Sequence, residues 1–137
     1  MRTLTSYSRA IDSPRQAPHL RWPAILAGVA VAVAISLLGA ALLPPIPAAL
    51  ASFFGLFVSG LLAGKTAAGA PAYHGALVGA GYVICEALGI VPGGGYFADP
   101  LSDTVALIAS DALVIAVAAL GGWCARLWSS SDTGTGR

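Results

Sequence analysis

The stretch that decides the fold is residues 22–64, WPAILAGVAVAVAISLLGAALLPPIPAALASFFGLFVSGLLAG, which contains no charged residue. Its 43 residues are twice the roughly 20 that an α-helix needs to cross a bilayer once. The stretch therefore predicts two membrane-spanning helices joined by a tight turn. Pro44, Pro45 and Pro47 mark that turn, because proline disfavours helix at the residue before it. We expect the two helices at about 23–43 and 48–64.

The second half of the chain repeats the pattern. Apolar stretches at about 73–91 and 104–125 flank the turn-forming segment PGGGYFADP, residues 92–100. Ser102 or Asp103 is expected to cap the fourth helix. The sequence thus predicts an all-α integral membrane four-helix bundle of two antiparallel hairpins. A polar tail is expected at 1–22 and a disordered one at 126–137.

The composition supports lipid as the solvent. Of 137 residues, 57% are hydrophobic and 9% are charged, whereas about a quarter of a typical soluble domain is charged. The chain has no room for a separate soluble domain, and a nucleic-acid partner is not expected. Any function must lie in the membrane or at its two surfaces, and membrane lipid is the first partner.

The placement of basic residues predicts the orientation. They precede the first helix, separate the second from the third, or follow the fourth; no turn on the opposite side contains one. Because basic residues mark the cytoplasmic side, we expect both termini in the cytoplasm, in the plasma (bacterial cytoplasmic) membrane. An alternative, in which the first helix is a cleaved signal peptide, fits less well, because its apolar stretch of about 21 residues exceeds the usual 7 to 15. The basic residues are Arg2, Arg9, Arg15, Arg21, Lys65, Arg126 and Arg137.

Two further residue patterns bear on how the helices sit and pack. Four aromatic residues on the basic side predict an interfacial belt: Trp22, Tyr73, Trp123 and Trp128. Small residues recur at helical spacing and predict faces where backbones approach closely, although abundant Ala and Gly produce some such spacings by chance. The packing residues are Gly28, Ala32 and Ser36 on the first helix, Gly60 and Gly64 on the second, Gly75 and Gly79 on the third, and Ala118 and Gly122 on the fourth.

One segment carries a resemblance to a known family. The sequence GLLAGK at 60–65, followed by HGALVG at 74–79, resembles the central cytoplasmic turn of a family of small, uncharacterised four-span bacterial membrane proteins. The similarity covers about 20 residues closely and the four-span layout loosely. The resemblance implies a topology and no mechanism.

Glu86 and Asp111 are the main candidates for function, because ionisable groups within a span are costly and are by default functional. Both are expected roughly 8 to 10 Å below the outer boundary. Ser36, Ser52 and Tyr82 fall at a similar depth and complete a predicted polar layer. Three interpretations remain open: a neutral hydrogen-bonded pair that fixes register, a proton or cation site, or two acids that never meet.

Other motifs are weaker. Gly64-Lys65-Thr66 imitates the end of a phosphate-binding loop but lacks its first glycine and its strand, so no nucleotide is expected. His74 is predicted to anchor at the interface, and Cys85 and Cys124 are too far apart in depth for a disulfide. No residue grouping suggests catalysis, a metal or a cofactor, so we expect no enzyme activity.

Two functional hypotheses follow. In the first, the protein is a helix-packing interaction, scaffold or accessory subunit that associates with itself or with other membrane proteins. In the second, several copies form a pathway for protons, cations or a small cationic solute, with Glu86 and Asp111 as the carboxylates. Oligomers are expected for the second hypothesis because four helices alone enclose little aqueous volume.

Membrane integration is the first testable prediction. The full chain should remain in the membrane pellet after an alkaline carbonate wash, because its apolar stretches are inserted and not adsorbed. Immunoblotting of pellet and supernatant measures this. Release of the chain by carbonate would contradict the predicted fold.

Overall fold

The computed structural model of the protein describes residues 20–67, 69–91 and 100–129. In these ranges the chain forms α1 (Trp22–Leu42), α2 (Pro45–Thr66), α3 (Pro71–Ala87) and α4 (Pro100–Ser129). The predicted all-α class is confirmed. α1, α2 and the segment Thr104–Trp128 of α4 are long and apolar enough to cross a membrane. The predicted turn at 92–99 and most of both tails, 1–19 and 130–137, lie outside the described residues.

α2 and α3 both begin at a proline, earlier in the chain than the sequence had predicted. α2 begins at Pro45 rather than at about residue 48, and α3 begins at Pro71 rather than at about 73. Proline suits the first helical turn, because the N–H groups there have no partner within the helix and its fixed φ is already helical. The α1–α2 turn is therefore only Leu43 and Pro44.

α4 is longer than predicted at both ends. It begins at Pro100 and ends at Ser129, against the expected 104–125. The expectation that Ser102 or Asp103 caps this helix is wrong, because both residues lie within its first turn. The first four residues of the expected C-terminal tail are helical.

The C-terminal end of α3 lies four residues before the predicted end. Gly89, with φ of 72°, reverses the chain. Its N–H donates to the carbonyl of Glu86 and the N–H of Ile90 donates to that of Cys85, each at 2.9 Å. This pair of bonds is a Schellman motif, which satisfies the last carbonyls of a helix and needs the left-handed conformation that glycine adopts readily. Val91 then folds back into the core.

Four helix ends meet at one end of the bundle. The guanidinium of Arg21, before α1, donates to the carbonyl of Thr66 at the end of α2 over 2.9 Å. Lys65 of α2 lies 4.3 Å from the ring of Trp128 near the end of α4. The backbone N–H of Arg21 also donates to Nε2 of His74, near the start of α3. Consecutive helices therefore run in opposite directions. We call this the basic end, after Arg21, Lys65 and Arg126, and the opposite end the cavity end.

α2 and α3 occupy the middle of the bundle. Each contacts both α1 and α4, whereas α1 and α4 do not contact each other within the described residues. Ile25, Ala63 and Val78 form a buried cluster towards the basic end. A second cluster, towards the cavity end, consists of Ala32, Leu56, Tyr82, Val91 and Val114.

α4 makes the closest backbone approaches in the bundle. A Cβ placed on Gly60 of α2 or on Gly75 of α3 would overlap the carbonyl of Ala118, and one on Gly121 would overlap the carbonyl of Phe57. Only glycine fits at such positions. Dispersion contact between close backbones is the main attraction available to helices in lipid, so these contacts hold α4 to both middle helices.

The outer faces of the helices are apolar. Leu38 of α1, Phe54 of α2, Ile84 of α3 and Ile108 of α4 are each more than half exposed. Soluble monomers rarely expose such continuous apolar surface. The surface is that of a protein covered by lipid.

The Gly121 contact generates a stability prediction. Gly121→Ala should lower the thermal stability of the detergent-solubilised protein, because the added methyl group meets the carbonyl of Phe57. The change otherwise favours helix by about 1 kcal/mol, so a net loss identifies the clash.

Gly69→Ala is the control, because a Cβ there meets nothing within 4 Å. Its melting temperature should stay close to that of the wild type. A Gly121→Ala variant as stable as Gly69→Ala would show that α4 is not in backbone contact with α2.

Candidate ligand-binding cavity

A cavity of about 710 Å³ lies at the cavity end and is lined by all four helices. Its polar lining residues come from each of them: Ser36 of α1, Ser52 of α2, Tyr82 and Glu86 of α3, and Ser110 of α4. Four of these five belong to the predicted polar layer. The expectation that four helices enclose little volume is corrected, because one chain leaves a space of this size between its four helices.

The deepest polar contact joins α1 to α3. The hydroxyl of Tyr82 donates to Oγ of Ser36 over 2.9 Å, across 46 residues of sequence. Both side chains are buried. Since a buried hydroxyl in an apolar surrounding is costly without a partner, this bond fixes the register of α1 against α3.

The other two serines of the cavity are bonded within their own helices. Ser52 Oγ donates to the carbonyl of Ala48 over 3.1 Å, and Ser110 Oγ donates to that of Leu107 over 2.8 Å. Their hydroxyl hydrogens are therefore committed, while their oxygens keep acceptor lone pairs. The polar lining of the cavity is rich in acceptors.

The two acids occupy different places. Glu86 is half-buried and lines the cavity, whereas Asp111 is half-buried but is not part of the lining. The backbone of Ile115 packs against Gly79 of α3, which fixes the rotation of α4. That rotation places Ser110 on the cavity wall in place of Asp111. The predicted layer thus contains one acid of the pair.

Apolar side chains form the rest of the wall. Phe53 and Leu56 of α2, Val91 after α3 and Val114 of α4 are the largest apolar lining residues besides Leu43. The sequence does not distinguish them, because apolar residues in a membrane helix carry no signal that separates a cavity wall from a lipid face. The sequence therefore predicted polar residues of the lining and none of its apolar residues.

His74 lies at the basic end and is completely buried. The N–H of Arg21 donates to its Nε2 over 3.4 Å, and its Nδ1 lies 3.2 Å from the carbonyl of Ala70. The predicted interfacial anchoring is wrong, because His74 shares the inward face of α3 with Val78 and Tyr82. The ring instead joins the start of α1 to the start of α3.

The predicted packing residues all lie inside the bundle. On the α1 side, a Cβ on Gly28 would come within 3.3 Å of the carbonyl of Ser59. On the α4 side, one on Gly64 would come within 2.7 Å of the carbonyl of Gly122, and one on Gly79 within 2.7 Å of Ile115 Cα. Gly121 was not predicted as a packing residue, because it lies one position away from the Ala118–Gly122 spacing. The eight buried positions are Gly28, Ala32, Gly60, Gly64, Gly75, Gly79, Ala118 and Gly122.

Other motifs of the sequence have ordinary structural places. Gly64-Lys65-Thr66 lies at the C-terminal end of α2, where carbonyl groups and not N–H groups are exposed. Cys85 and Cys124 are free and half-buried. In the described part of the chain, no group of three His, Cys, Asp or Glu residues lies close enough together to hold a metal ion.

Two buried serines provide a matched test of the polar layer. Ser36→Ala should lower the free energy of unfolding by about 0.6–2 kcal/mol, because the Tyr82 hydroxyl loses its acceptor. Ser59→Ala should leave it unchanged or raise it, because Ser59 Oγ is buried without a hydrogen-bond partner among the described residues.

Unfolding of both variants in mixed detergent micelles gives the comparison. Equal losses for Ser36→Ala and Ser59→Ala would contradict the assigned bond. A double variant with Tyr82→Phe should be less destabilised than the sum of the two single changes.

The chain matches no protein-family model, no curated protein and no solved structure. Its function is therefore inferred from the cavity and its surroundings.

Proposed function

We propose that the chain crosses the bacterial cytoplasmic membrane four times, with the basic end in the cytoplasm and the cavity end at the outer face. Three helices have the length and composition of spans. α3 has 17 residues, which rise about 26 Å, close to the roughly 30 Å of the hydrocarbon core. It packs against all three other helices, so it lies at the same depth.

The charges and rings of the basic end support this orientation. Arg21, Lys65 and Arg126 are exposed there, and basic residues mark the cytoplasmic side. Aromatic side chains surround them at the level where lipid headgroups begin. These are Trp22, Tyr73, Trp123 and Trp128, each about half exposed or more.

Within this topology, the function that the geometry supports best is the binding of a small cation in the cavity, with Glu86 as the negative group. The single observation that carries the proposal is the position of Glu86 on the wall of a cavity that all four helices line. No Lys, Arg or His is among the described lining residues. A carboxyl group at this depth is costly, and such groups usually serve protons, cations or ligands.

Passage of the cation to the cytoplasmic face needs a further step. The half of the bundle near the basic end is filled by backbone contacts of α4 with Gly60 and Gly75, so the cavity does not extend through it. Transport therefore requires either helix movement or more than one copy of the chain. Binding at the cavity requires neither.

The first hypothesis, an interaction, scaffold or accessory subunit, draws no support from the small-residue rows. The small-residue rows that were expected to bind other helices pack within the chain. A partner or a second copy would have to contact the outer faces of the helices, which consist of the apolar side chains that lipid covers equally well. Cation binding is the better supported function.

Chemical modification tests the proposal. The apolar reagent dicyclohexylcarbodiimide reacts with carboxyl groups buried in membranes, and mass spectrometry separates modification of Glu86 from that of Asp111. We expect at least one cation among sodium, potassium and small ammonium ions to slow the modification of Glu86, because a bound cation occupies the carboxylate.

Asp111 is the internal control, because it lies outside the cavity lining. Its rate of modification should not respond to the cation that protects Glu86. If no cation protects Glu86, or if both acids respond alike, the cavity carboxylate is not a cation site.

A further inference from the structure

The size of the cavity bears on the kind of cation. Its volume is about 710 Å³, within the range of roughly 300–1,000 Å³ that small-molecule sites occupy. A water molecule takes about 30 Å³ of liquid volume, so a single metal ion or proton uses a small part of this space and leaves the rest to water. The volume favours an organic molecule.

The residues of the cavity wall indicate which chemical groups that molecule carries. Phe53, Leu56 and Val114 give it an apolar surface, so a ligand with apolar groups gains from leaving water. The hydroxyls of Ser52 and Ser110 donate within their own helices and offer only acceptor oxygens. Acceptor oxygens at these two positions suit a cation, and the hydroxyl donors that an anionic ligand would need are limited to the one hydrogen that the Tyr82–Ser36 bond leaves over.

The number of carboxylates in the lining favours an organic cation over calcium or magnesium. Calcium and magnesium take about six or more oxygen ligands in close array, and the described lining contains a single carboxylate, Glu86. An ammonium group needs one counter-charge and can also lie against aromatic faces. Phe53 and Tyr82 supply two aromatic rings to the same wall.

We propose that the cavity binds an organic ammonium ion with apolar substituents, its charge at Glu86 and its substituents against Phe53, Leu56 and Val114. This inference rests on the proposed cation-binding function and names the class of cation. In this arrangement the ammonium group has a counter-charge, and the substituents displace water from the apolar side chains of the wall.

The test is calorimetric titration of the full chain in nanodiscs of neutral lipid with benzyltriethylammonium, which has one positive charge and apolar groups. We expect saturable binding to the wild type. Glu86→Gln should weaken it at least about tenfold, because the ligand loses its counter-charge in an apolar site. Asp111→Asn, which removes the same charge outside the cavity lining, should change the affinity by less than about twofold.

A space-filling variant tests whether the probe binds in the cavity, and the labelling of Glu86 distinguishes this inference from the cation-binding proposal. Ala49 lines the cavity and is exposed, so Ala49→Trp should block the probe without disturbing the core. Protection of Glu86 from carbodiimide by sodium or potassium, with no binding of the probe, would overturn the organic-ammonium inference and leave cation binding standing. Probe binding that is equal in wild type, Glu86→Gln and Ala49→Trp would also overturn it. Absence of every cation effect at Glu86 would remove both proposals.

Discussion

The rest of the structure depends on the close backbone contact that α4 makes with α2 and α3. Apolar side chains gain nothing by leaving lipid for protein, so helices in a membrane associate by dispersion and by the few polar contacts available. Gly60 and Gly75 lie against the carbonyl of Ala118, and Gly121 lies against that of Phe57. A methyl group at any of these three glycines would force the helices apart.

This contact determines which side chains reach the cavity. It fixes the rotation of α4, so that the exposed Ser110 and the buried Val114 line the cavity and the half-buried Asp111 does not. The glycines of the middle helices are concentrated towards the basic end, and the cavity occupies the other half. The positions of the small residues thus explain both the close packing at the basic end and the open space at the cavity end.

The sequence predicted the fold class, the number of helices and most of the polar layer, because those follow from long uncharged stretches and from polar residues at equal depth. Helix ends were predicted less well. Pro45 and Pro100 are read equally well as breakers or as first-turn residues, and only the neighbouring backbone decides. The end of α3 was predicted at about residue 91, although Gly89 is a glycine after the last helical turn, which is typical of a Schellman motif.

The failures inside the site have a different cause. Neighbouring residues on a helix differ by about 100° in direction, so the rotation of α4 decides whether Ser110 or Asp111 lies at the cavity wall. Periodicity does not fix that rotation, whereas the backbone contacts of α4 do. His74 was misplaced for a related reason: its depth near a boundary suggested exposure, while its inward face, shared with Val78, determined its burial.

The most direct test of the account is the side of the membrane on which each turn lies. In a full-length chain with Cys85 and Cys124 replaced by serine, single cysteines at Pro44, Gly69 and Gly94 are exposed to a membrane-impermeant maleimide in intact cells. The account predicts labelling at 44 and 94, and at 69 only after the membrane is permeabilised. Labelling at 69 in intact cells, or protection at 94, would show that the chain does not cross the membrane four times with its basic end inside.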